Sequence, residues 1–71
     1  AHASGDKRRA AEVFRAAAEH HQSGAAWVNL ATVLLELGER DAAITAAQRA
    51  LGDASWGARA RELLVQATRR P

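Results

Sequence analysis

The chain repeats its own pattern after 33 residues, and this internal repeat restricts its fold more than any other feature of the sequence. When the sequence is shifted by 33 positions, residues 5–19 fall on residues 38–52. The same shift places one apolar run on another: Trp27, Leu30, Ala31 and Leu34 fall on Ala60, Leu63, Leu64 and Ala67. Self-similarity at a period of roughly 20–50 residues is typical of proteins built from stacked repeats. The sequence therefore predicts two kinds of segment, each of which occurs twice.

Both kinds of segment have the spacing of an amphipathic helix. In residues 25–37 the apolar side chains recur at i, i+3, i+4 and i+7, which places them on one helical face. Gly38 follows this segment, and glycine adopts the left-handed conformation that ends a helix at little cost. Asp41 then offers a negative charge to the first turn of the next helix. The spacing predicts an all-α fold of four helices near 6–21, 25–37, 40–51 and 56–69, each antiparallel to the next.

Individual residues add detail to this prediction. Ala31 and Ala43 are small, so the second and third helices are expected to approach closely, with Trp27 in the core beside them. Ser55 is predicted to cap the last helix, because a serine hydroxyl readily accepts a hydrogen bond from a free N–H at a helix start. Trp56 is expected to fold back over the core.

The helical pairs resemble the tetratricopeptide repeat, a helix–turn–helix unit of about 34 residues. The residues that carry the resemblance are Trp27, Leu30, Ala31, Leu34, Gly38, Ala43 and Ala50, together with Ala10, Phe14 and Ala17 in the preceding segment. The resemblance implies one helical domain over residues 1–71. Residues 5–22 would be the second helix of a preceding repeat, residues 24–52 the central repeat, and residues 54–70 a capping helix or the next first helix.

The resemblance also implies a function. Arrays of this family bind a peptide or partner protein along a groove lined by first helices, which predicts a non-enzymatic interaction module or adaptor. The groove would present Ala25, Val28, Asn29, Thr32, Leu35 and Glu36. A clamp for a C-terminal carboxylate is not expected, because Val28 and Thr32 stand where the family's clamp has a lysine and a second asparagine. The alternative is a structural cap or self-association segment of a larger tetratricopeptide protein.

Val13 and Phe14 are candidates for self-association. They lie on a second helix that has no first helix before it in the sequence, and uncovered apolar patches tend to mark contact surfaces. Three alternatives for what covers this patch stay open. Residues 1–4 could fold over it, an upstream repeat could pack on it, or a second copy of the chain could pack on it in a homodimer. The absence of methionine, even at position 1, leads us to expect that the chain was processed or cut from a longer protein.

The composition argues against most other functions. The chain has 71 residues and no cysteine, which excludes disulfides and thiolate metal sites. We expect no cofactor, because the adjacent pair His20 and His21 lacks the spacing that converges on one metal ion. No apolar run approaches the roughly 20 residues of a membrane span, and no signal peptide is evident, so a cytoplasmic location is the expectation. Residues 7–9 and 69–70 are basic, but acidic residues share the first helix and no aromatic is interleaved for base stacking, so nucleic acid is the least favoured partner.

Overall fold

The computed structural model describes the backbone of residues 2–21 and 23–69 and the side chains of residues 5–21 and 23–69. Within these residues the chain forms four helices and no strand, which confirms the predicted all-α fold. The helices are α1 (His2–His21), α2 (Gly24–Glu36), α3 (Arg40–Ala50) and α4 (Gly57–Thr68). The bounds of α2, α3 and α4 lie within one residue of the prediction. Gln22 and Arg70, which the sequence placed in the first and last segments, lie outside the described residues.

The first helix differs from the prediction at its start. It begins at His2, because Gly5 continues the helix, whereas its repeat equivalent Gly38 ends one. Of the three alternatives for covering Phe14, the one in which residues 1–4 fold over it does not hold for residues 2–4. These residues lead away from Phe14 along the helix axis by about 1.5 Å per residue, and Ala1 lies outside the described residues.

The turn between α2 and α3 has the geometry that its glycine predicts. Gly38 has a φ of 82°. Its N–H donates to the carbonyl of Leu35 at 3.0 Å, and the N–H of Glu39 donates to the carbonyl of Leu34 at 2.9 Å. This pair of bonds is a Schellman motif, which satisfies the last carbonyls of a helix. Because the connection is so short, α3 must run back along α2.

The core is built around α2, which packs against α1, α3 and α4. Leu30 and Leu34 of α2 and Leu63 of α4 are the largest fully buried side chains. The buried residues of α3 are all alanines: Ala43, Ala46, Ala47 and Ala50. Because alanine has no side-chain bulk beyond Cβ, the helices lie close together in a slab of 37 × 33 × 15 Å. Trp27 is half-buried against this core, so it lies at the edge of the core rather than at its centre.

The loop before α4 corrects the predicted helix cap. Asp53 accepts hydrogen bonds at Oδ1 from the N–H groups of Ser55, at 2.8 Å, and Trp56, at 2.9 Å. Ser55 is therefore not the cap, because the residue that flanks the helix is Trp56 and the carboxylate of Asp53 satisfies the loop N–H groups instead. Trp56 is 38% exposed, and its packing over the core stays a prediction. No helix among the described residues has the length and apolar character needed to cross a bilayer.

Candidate functional site

Four of the six predicted groove residues form an open strip along α2. Ala25, Asn29, Thr32 and Glu36 follow spacings of four, three and four residues, which places them on one helical face. Asn29 and Glu36 are exposed, and Ala25 and Thr32 are half-buried. We call these four residues the α2 strip. The strip is a polar edge on a helix whose other sides are covered by α1, α3 and α4.

The other two predicted groove residues lie deeper. Val28 is only 3% exposed and belongs to the core cluster, so it supports the strip from below and does not offer a surface to a ligand. Leu35 is half-buried and lines a hollow of about 260 Å³ together with Gly38, Arg40 and Gln66. We call this the turn hollow. It connects the end of α2 with the side of α4.

The polar groups of the α2 strip differ in what they already bind. The hydroxyl of Thr32 donates to the carbonyl of Val28 at 2.9 Å, which uses its proton within the helix. The carboxylate of Glu36 lies 3.8 Å from the Nζ atom of Lys7 on α1. The amide of Asn29 makes no hydrogen bond to another described residue. Asn29 is thus the strip residue that has both donors and an acceptor to offer.

A second hollow lies on α4, outside the predicted groove. It has a volume of about 360 Å³ and is lined by Arg61, Glu62, Val65, Gln66 and Arg69. We call this the α4 hollow. Because Gln66 also lines the turn hollow, the two are neighbours. The signal that could have found it is the 33-residue repeat, which places Ala58, Glu62, Val65 and Arg69 on the four residues of the α2 strip.

A furrow on another side of the molecule runs between α1 and α3, which do not contact each other. Two hollows of about 330 and 320 Å³ form it, and both are lined by Arg15, Glu19 and Leu34. The guanidinium of Arg49 lies 5.2 Å from the ring centroid of Trp27 and closes the α3 side. The walls of this α1–α3 furrow carry charges of both signs, so its composition does not favour a particular ligand.

The predicted self-association residues have different environments. Val13 is 62% exposed. Phe14 is half-buried and packs against the core from α1. Among the described residues Phe14 therefore has a cover, namely the core itself, and Val13 is the exposed residue of the pair.

The alternatives of metal and nucleic-acid binding gain no support from the side-chain positions. Among the described residues, no group of three or more histidine, aspartate or glutamate side chains is arranged to hold a metal ion. His20 and His21 end α1 with ring centroids 4.8 Å apart. Arg8 lies 2.7 Å from Glu39 and Lys7 is paired with Glu36, so both cations are partly neutralised. Arg70 lies outside the described residues.

Comparisons of the chain with protein-family models, characterised proteins and solved structures give no match. The resemblance to the tetratricopeptide repeat accordingly stays a prediction from the sequence, and the function is argued from the surface of this chain alone.

Proposed function

We propose that the protein is a non-enzymatic protein–protein interaction module that binds a peptide or helix of a partner along the α2 strip. The observation that carries this proposal is the open strip itself. The central helix is covered by three others, yet Asn29 stays exposed in the middle of the helix with its amide available. An amide at such a position can donate to and accept from a peptide backbone.

The neighbouring surface supports the same proposal. The turn hollow lies beside the strip and offers Leu35 at its edge, and ligand sites typically combine apolar surface with a few placed polar groups. The internal repeat and the resemblance to tetratricopeptide arrays favour a scaffold of this kind. Val28→Arg is not a suitable test of the strip, because a charge at this buried position would disrupt the core.

A peptide-display selection against the folded protein tests the proposal. Peptides enriched on the wild type should bind Asn29→Leu about tenfold more weakly, since leucine has a similar size but removes the hydrogen bonds of the amide without adding a charge. Gln48→Leu is the matched control, because Gln48 is exposed on α3, away from the strip. Circular dichroism must show equal helix content for both variants. Peptides that lose binding to Glu19→Lys in the α1–α3 furrow, but keep binding to Asn29→Leu, would contradict the proposal.

Self-association is the second candidate, and the exposure of Val13 favours it. A valine that is 62% exposed on α1 gives two copies an apolar contact point in a homodimer. Sedimentation equilibrium over about a hundredfold range of concentration measures this directly. We expect Val13→Glu to abolish any dimer without unfolding the chain. Phe14→Glu is a poorer variant because Phe14 also packs against the core. A wild type that stays monomeric throughout the range excludes this candidate.

A further inference from the structure

We propose that the binding surface extends from the α2 strip across the turn hollow to the α4 hollow, and that its ligand is an acidic protein segment with an aliphatic side chain. The inference rests on the proposed function and adds the chemistry of the partner and the second half of the site. Three arginines and one exposed valine on the described chain carry it.

The two hollows form one continuous surface. Gln66 lines both of them, with Leu35 and Arg40 on one side and Val65 and Arg69 on the other. Pockets of roughly 300–1,000 Å³ hold whole drug-sized ligands. The two hollows, with volumes of about 260 and 360 Å³, are near the lower end of this range, so each can hold one or two side chains. An extended segment that passes from α2 to α4 would therefore place successive side chains in the two hollows.

The charge of this surface is positive. Arg40, Arg61 and Arg69 are exposed, and no ion pair among the described residues involves them. The acidic groups nearby are already engaged, because Glu62 lies 2.9 Å from Arg59 and Glu36 lies 3.8 Å from Lys7. The guanidinium group is suited to carboxylates because its planar donors bind both oxygens at once. The surface therefore favours aspartate and glutamate in the partner.

The apolar part of the surface favours a protein partner over a nucleic acid. Val65 is 49% exposed in the middle of the α4 hollow, and it offers contact to an aliphatic side chain. The lining residues include no aromatic ring on which a base could stack, although stacking contributes much of the binding of single strands.

The test compares the peptides selected on the wild type with those selected on Arg61→Glu/Arg69→Glu. Peptides selected on the wild type should be enriched in aspartate and glutamate around leucine, isoleucine or valine. The variant Arg61→Glu/Arg69→Glu should bind these peptides more weakly by a factor of about ten or more. Arg15→Glu is the control for a charge reversal elsewhere, because it reverses one exposed arginine in the α1–α3 furrow. A synthetic peptide in which asparagine and glutamine replace the acidic residues should bind the wild type more weakly by the same factor.

The possible outcomes distinguish this inference from the proposed function. Neutral or basic peptides that depend on Asn29 would overturn the acidic partner and leave the α2 strip in place. Equal losses for Arg15→Glu and for Arg61→Glu/Arg69→Glu would show an unspecific charge effect and overturn the site. A single-stranded oligonucleotide that binds more tightly than the acidic peptide, and is lost with Arg61→Glu/Arg69→Glu, would make the surface a nucleic-acid site. Failure to enrich any peptide would overturn both proposals.

Discussion

At the scale of single residues, Gly24 has the least room for a side chain among the glycines of the described residues, because Asp53 lies against it. A Cβ atom added to Gly24 would lie 2.5 Å from both Cγ and Oδ2 of Asp53. The same carboxylate accepts the N–H groups of Ser55 and Trp56. One side chain thus joins the start of α2 to the loop that leads into α4, and the absence of a side chain at position 24 makes room for it.

Gly24→Ala should therefore destabilise the protein. The new methyl group would displace Asp53 from its hydrogen bonds, at a cost of about 1–2 kcal/mol. Gly5→Ala is the matched control, because Gly5 lies inside α1 and a Cβ there would meet nothing within 4 Å. Removing a flexible glycine from a helix should raise the free energy of unfolding by about 0.5–1 kcal/mol. Urea denaturation measures the free energy of unfolding of both variants, which should fall for Gly24→Ala and rise for Gly5→Ala. Equal changes in the two variants would show that Asp53 does not occupy this space.

The capping role of Asp53 makes a separate prediction. Asp53→Ala should lower the free energy of unfolding by about 1 kcal/mol, since two loop N–H groups lose their acceptor. Ser55→Ala should stay within about 0.5 kcal/mol of the wild type, because the Ser55 side chain makes no capping bond. Thermal unfolding followed by circular dichroism measures both. A larger loss for Ser55→Ala than for Asp53→Ala would restore Ser55 as the cap.

At the scale of helices, α3 is the element whose packing depends most on small side chains. Ala47 is fully buried, so Ala47→Leu would force α3 away from its neighbours and should cost about 1–3 kcal/mol. Gln48→Leu adds a leucine at the next, exposed position of the same helix and should change the stability by less than about 0.5 kcal/mol. Chemical denaturation of the two variants compares them. Equal stabilities would mean that α3 does not approach the other helices closely.

The helices were predictable from the sequence to the extent that local signals specify them. The apolar spacing in residues 25–37 and the glycine at 38 fixed α2 and its end, because periodicity and left-handed conformation act locally. The start of α1 was not predictable by analogy, since Gly5 repeats Gly38 in sequence but not in conformation. The α4 hollow was missed for a different reason. The repeat places Val65 and Arg69 on residues of the α2 strip, but only the folded chain shows that they line a hollow together with Arg61 and Gln66.

At the scale of the whole molecule, stability is distributed unevenly because α1 packs against α2 alone. The central helix α2 contacts every other helix, and α3 and α4 contact each other as well as α2. The ion pairs of Lys7 and Arg8 with α2 and its turn are exposed, and such pairs contribute only about 0–1 kcal/mol each. Phe14 is the largest side chain that α1 packs against the core, on the same helical face as the buried Ala11 and Ala18.

This arrangement predicts that α1 opens before the rest of the protein. In native-state hydrogen exchange, amides of α1 should exchange through a local opening of lower free energy than those of α2, since α1 is held by one neighbouring helix and α2 by three. Phe14→Ala should increase exchange throughout α1 while leaving the protection of α2 and α3 nearly unchanged. Arg9→Ala is the control, because Arg9 is exposed on the same helix and its loss removes no core contact. If Phe14→Ala lowered the protection of all four helices equally, the chain would unfold as one cooperative unit and α1 would be an integral part of the core.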